Sequence, residues 1–122
     1  MASHPLNLAL RFVLELAALG AMGHWAYRSV EGWARFALAL GVPLLAATLW
    51  GVFAVPADPS RSGGAPVPVP GAVRLGLELT FFGFASWALR STGQPRAALC
   101  FGAITLAHYL VSYDRLRWLL RA

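Results

Sequence analysis

Two glutamates stand inside segments that are otherwise apolar, each with an arginine one helical turn before it. Arg11-Phe12-Val13-Leu14-Glu15-Leu16 returns as Arg74-Leu75-Gly76-Leu77-Glu78-Leu79. An ionisable side chain at the centre of a bilayer costs roughly 2.5–3.5 kcal/mol on insertion scales, so a charged pattern placed there twice needs a physical reason. Residues four apart share a helix face, which lets Arg11 meet Glu15 and Arg74 meet Glu78. Cross-pairs, Arg11 with Glu78 and Arg74 with Glu15, neutralise the same charges. One reading is structural: buried ion pairs fix register and helix packing. The other is chemical: a carboxylate in a membrane cavity takes up and releases a proton or a ligand. An adjacent arginine favours the charged carboxylate and works against proton coupling. Arginines that reach the interface, with a carboxylate at headgroup level, are a third arrangement.

His108 is the remaining candidate for proton traffic, because imidazole titrates near neutrality. A lone histidine on an apolar helix is more often a hydrogen-bonded packing residue. Tyr109 follows it, and Trp50 ends the second apolar segment. The expected polar cluster is therefore Arg11, Glu15, Arg74, Glu78, His108, Tyr109 and Trp50. No metal site is expected, because His4, His24, His108 and Cys100 show no ligand spacing. Ser86, Ser91 and Ser112 have no neighbouring base in sequence, and there is no phosphate loop, so neither catalytic residues nor a cofactor are expected.

The elements that hold these residues read as membrane spans. Of the 122 residues, 58% are hydrophobic and only 12% charged, against about 25% charged in soluble domains. Apolar stretches run roughly Leu6 to Tyr27, Trp33 to Val55, Ala72 to Leu89 and Arg96 to Tyr113, and a bilayer needs about 17–25 residues per helix. Open strands are excluded inside lipid, which cannot satisfy a sheet edge. Trp25, Trp33, Trp50, Trp87 and Trp118 stand near segment ends, where indole favours the headgroup level. The small-residue pattern Ala17, Ala18, Ala21 resembles a signal-peptide cleavage site, but Glu15 and the missing basic start point to a retained first span. Pro43 is placed to kink the second span and free a carbonyl.

The predicted architecture is all-α: an integral membrane four-helix bundle of two similar helical hairpins in one domain. Hairpin one covers about 6–55 and a Pro/Gly-rich linker 56–71, with Pro59, Gly63 and Gly64 among its breakers. Hairpin two covers about 72–113, and a basic tail 114–122. Besides the Arg/Glu match, Arg35, Ala37, Leu38 and Gly41 fall on Arg96, Ala98, Leu99 and Gly102. The pairs Ala37/Gly41 and Ala98/Gly102 have the spacing that lets helix backbones approach closely. Both termini and the linker share one side, which gathers the polar residues in one half of the membrane. All ten basic residues are arginine and the net charge is +5. Their placement at helix ends suits topology and lipid headgroups, not nucleic acid, and slightly favours cytoplasmic termini.

Leu14-Glu15-Leu16, Trp50-Gly51-x-Phe53-x-x-Pro56 and Leu77-Glu78-Leu79 together resemble the YrdB-like family, small bacterial membrane proteins with a domain of unknown function. The resemblance covers roughly Leu6 to Tyr113. It implies a four-span protein of the bacterial cytoplasmic membrane and brings no reaction or site residues. The partners then expected are the lipid bilayer and a second copy or another membrane protein. The leading functional expectation is a structural or interaction bundle with buried Arg–Glu pairs. The alternative is a small proton-coupled transporter. In length, span number and a glutamate in span one the chain is similar to small multidrug-resistance transporters, but it departs from them in its duplicated Arg/Glu pattern and long Pro-rich linker. An enzyme is not expected.

Overall fold

A computed structural model describes residues 4–58 and 65–122. Pro59, Arg61, Gly63 and Gly64 of the linker lie outside the described residues. The described chain is all-helical apart from one small strand pair: α1 Pro5–Ser29, α2 Ala34–Val52, β1 Phe53–Ala54, β2 Val67–Pro68, α3 Gly71–Ser91, α4 Pro95–Val111 and α5 Tyr113–Arg121. Helices α1, α2 and α3 are long and apolar enough to cross a membrane, while α4 has 17 residues.

The helix ends follow from local chemistry. Pro5 opens α1, where its missing N–H is not needed, and the His4 side chain accepts the Leu6 N–H at 3.2 Å. Pro95 opens α4 in the same way. The tight turns α1–α2 and α3–α4 each carry a left-handed glycine, Gly32 at φ 73° and Gly93 at φ 78°, a conformation that costs glycine nothing. Thr92 Oγ1 donates to the Ala88 carbonyl at 2.9 Å, closing the end of α3.

Helices α1 and α3 lie side by side and run in the same direction. Arg11 reaches Glu78 near their starts, and Trp25 meets Trp87 edge-on near their ends. The buried stripe of α1 is Asn7, Arg11, Leu14, Ala18, Ala21, Met22 and Ala26, and that of α3 includes Arg74, Glu78, Phe81, Ala85 and Ala88. Alternating steps of three and four make one continuous helix face. Its polar end gives way to aromatic rings, with Trp50, Phe82 and Phe81 in mutual contact. Beyond these, alanines let α1 and α3 approach closely.

The second helices sit outside this pair. α2 packs on α1 and α4 on α3, and contacts from α2 to α3 are few. None of the residues of α2 is buried. The arrangement is therefore a central pair with two flanking helices rather than a closed square. The small-residue pairs play a different part from the one expected. Gly41 has nothing near it, and Gly102 only touches Ser86 Oγ. The close approach falls instead at Gly23 of α1, where a Cβ would lie 2.9 Å from the Ala39 carbonyl and 3.2 Å from Pro43 Cγ. Pro43 deprives that carbonyl of its helical donor, yet α2 stays unbroken through it.

Two further departures concern the ends. The linker is not wholly irregular: Phe53 and Ala54 pair in parallel with Val67 and Pro68. This short pair lies beyond the long helices, so it leaves no edge inside their apolar span. Residues expected as a basic tail form α5, which folds back onto α3. The Gly71 N–H donates to the Ala122 carbonyl at 3.2 Å. A Cβ on Gly71 would overlap the Leu119 carbonyl, so only glycine lets α5 press onto the start of α3.

Alanine at Gly20 and at Gly23 separates these effects. Both gain helix propensity, about 0.8–1 kcal/mol. Gly20 faces open space, so Gly20→Ala is expected to be neutral or stabilising. Gly23→Ala must displace backbone, and overpacking costs about 1–3 kcal/mol. The thermal midpoint in detergent is expected to fall for Gly23→Ala alone.

A buried carboxylate held by three arginines

Glu78 lies on the second turn of α3 with its side chain fully buried. The start of α3 brings Arg74 one turn before it, and Arg74 Nε donates to Glu78 Oε2 at 2.8 Å. The parallel packing of α1 puts Arg11 Nη2 2.9 Å from the same oxygen. From α5, Arg115 spans the carboxylate in a fork, Nη1 to Oε1 at 2.8 Å and Nη2 to Oε2 at 2.6 Å. The Tyr109 hydroxyl of α4 donates to Oε1 at 2.7 Å. Both oxygens thus hold at least two donors, which leaves no open lone pair for a proton or a ligand cation.

The arginines are held in turn. Arg115 makes a second fork with Asp58, Nε to Oδ1 at 2.9 Å and Nη2 to Oδ2 at 2.6 Å. Asp58 reaches this position through a turn in which Ala57 adopts φ 64°, a conformation disfavoured for a residue with a Cβ by about 1–2 kcal/mol. Arg74 Nη1 also donates to the Trp50 and Phe53 carbonyls, at the C-terminal end of α2 and just beyond it. The Trp50 ring carries the Arg11 and Arg74 guanidinium groups at 5.1 and 4.4 Å, an arrangement favourable for cation–π attraction. Glu15 is at the margin: Arg11 Nε lies 3.4 Å away, and the side chain is 23% exposed.

Three cations, Arg11, Arg74 and Arg115, therefore face three carboxylates, Glu15, Asp58 and Glu78. Charge balance is what makes their burial tolerable. Arg115 lies outside the long helices. Burial by itself would lower its pKa, but the bonds to Asp58 and Glu78 prevail and hold it above its ordinary value. His108 is not part of this set. Its Nδ1 lies 2.9 Å from Asn7 Oδ1, and Asn7 Nδ2 donates to Ser112 Oγ at 2.6 Å. That chain ties α1 to the junction of α4 and α5. Among the described residues no group of histidine, cysteine or acidic side chains could hold a metal ion.

The structure brings the seven expected residues to one end of the helices but distributes them unequally. The pairing within each helix is present in full, Arg11 with Glu15 and Arg74 with Glu78, and of the two cross-pairs Arg11 also meets Glu78. Asn7, Asp58, Ser112 and Arg115 were not foreseen. A signal for Arg115 exists, because Arg115 and Leu119 are four apart and Leu116 and Leu119 three apart, the spacing of one helix face. Asp58 carries no such signal, since its place depends on the turn at Ala57.

The same residues fall within recognisable relatives. Residues 9–106 match the family described as protein of unknown function (DUF2568). The chain belongs to this family. It is also 41% identical over 114 residues to the uncharacterized protein YrdB of Bacillus subtilis (strain 168), covering 93% of each chain. The family match contains Arg11, Glu15, Trp50, Asp58, Arg74 and Glu78, while Tyr109 and Arg115 lie beyond it. No solved structure matches.

The unequal roles of the two glutamates are measurable. Glu78→Gln leaves three guanidinium groups short of a counter-charge and is expected to destabilise by about 3–5 kcal/mol. Glu15→Gln removes one partly exposed pair and is expected to change stability by less than about 1 kcal/mol. Unfolding of both variants in the same detergent checks the difference.

Proposed function

We propose that the protein is an integral membrane bundle of structural or scaffolding type, with the Glu78 network as the clasp that joins its two hairpins and α5. The membrane part of this reading rests on three helices of spanning length and on the apolar surface they expose, such as Phe12, Phe36, Leu40, Leu99 and Leu106. Water would penalise such a surface, and lipid would not. A bacterial setting for that membrane takes support from the organism of the relative, Bacillus subtilis.

One observation carries the structural reading: Glu78 is fully buried and both its oxygens are filled by arginine and tyrosine donors. A carboxylate that relays protons alternates between states, and this one would have to break several charge-assisted bonds to do so. A second reading, a small proton-coupled transporter, finds its support at Glu15. That side chain is partly exposed and has one ion pair, at 3.4 Å, among the described residues.

Carbodiimide labelling in membranes across pH 5 to 9, read by mass spectrometry, tests the proposal, since the reagent needs a reachable protonated carboxyl. Glu78 is expected to stay unlabelled at every pH in folded protein. Labelling of Glu78 that falls away through a midpoint near neutrality would sink the structural reading. The same titration seen at Glu15 alone would move the function to the transporter.

A further inference from the structure

The outer face of α5 has no part in the clasp it serves. Arg115 and Leu119 point into the protein, while Tyr113, Asp114, Arg117 and Arg121 stand exposed and Trp118 half-exposed. Tyr113, Arg117 and Arg121 recur every four residues, so they form one line along the helix. These five residues border a shallow hollow of about 300 Å³. The Arg117 guanidinium lies over the Tyr113 ring at 5.9 Å.

The level of this hollow is set by the fold. The Gly71–Ala122 hydrogen bond and the contact of Gly71 with Leu119 seat α5 on the start of α3. Ser112, immediately before α5, is bonded to Asn7 in the first turns of α1. Helix α5 therefore lies where α1 and α3 begin and α4 ends, the level at which a bilayer presents its headgroups. Two exposed guanidinium groups offer forked donors that match a phosphate. The two aromatic side chains suit the depth of the glycerol region. Among the described residues that line the hollow, Asp114 is the one acidic side chain against two arginines.

We propose that the outer face of α5 binds the phosphate of an anionic phospholipid, with Arg117 and Arg121 as its ligands and Tyr113 and Trp118 against the lipid backbone. This assignment rests on the membrane reading above.

The test uses the full chain released from micelles containing equal phosphatidylglycerol and phosphatidylcholine, with bound lipids counted by native mass spectrometry. An arginine near an anionic surface contributes about fivefold in binding, so Arg117→Gln with Arg121→Gln is expected to lower the ratio of anionic to zwitterionic adducts about 25-fold. Both positions are exposed, and helical circular dichroism should be unchanged. Arg28→Gln with Arg96→Gln, at the opposite end of the helices, should leave the ratio as it is. An equal fall in that control, or no anionic preference in the unaltered chain, overturns the site. Displacement of the lipid by millimolar inorganic phosphate would make it a free-anion site and overturn the lipid assignment. Alkaline carbonate extraction separates the two levels. A chain that stays in the membrane but lacks the preference loses only this site, whereas a chain released by carbonate loses the membrane reading as well.

Discussion

A carboxylate sealed from water must be matched in charge and in hydrogen bonds, and the rest of this structure is arranged around meeting that demand at Glu78. Two oxygens take donors from four helices: Arg11 of α1, Arg74 of α3, Tyr109 of α4 and Arg115 of α5. Helix α2 joins through the Trp50 ring and carbonyl. No single helix can satisfy the group, so its burial depends on the assembled set of helices. Charged bonds shielded from water are strong and directional, and they fix the helices in relative height as well as in neighbourhood. Apolar packing alone would not do this, because a surface of leucine and alanine can slide with little change in energy.

The duplicated Arg/Glu pattern shows how small a rotation separates two roles. After Arg11 the buried stripe of α1 continues through Leu14, three residues on; after Arg74 that of α3 continues through Glu78, four residues on. At about 100° per residue, steps of three and four diverge to opposite sides of the starting residue. The same motif is thus turned one way in α1, which leaves Glu15 at the margin, and the other way in α3, which drives Glu78 to the centre. Only one site at the axis can be filled by a carboxylate, and one of the two near-identical segments takes it.

The protein has two ends of different character. At the polar end α5 closes over the network, and Arg115 ties Asp58 to it. At the other end Trp25 packs edge-on against Trp87 and Phe84, which are tilted against each other, beside tight glycine turns. Between them α1 and α3 meet through alanines, and the outer surfaces of α2 and α4 remain apolar and open. Hydrogen bonds and ion pairs between helices are concentrated at the end where both halves of the chain and the C-terminal helix converge.

From sequence alone the helical class, the four long apolar segments, their turns and the gathering of Arg11, Glu15, Trp50, Arg74, Glu78, His108 and Tyr109 at one end were legible. Each of these follows from local composition or from counting residues along an alternating path. What only the tertiary structure decided is which glutamate occupies the centre, that Asp58 and Arg115 complete its charge balance, that His108 serves Asn7 instead, and that Gly23 and Gly71, not Gly41 and Gly102, are the points of closest approach. These depend on the rotation of each helix about its axis and on the path of two irregular connections. Rotation is set by the sum of many contacts from other parts of the chain, and no local pattern contains that sum.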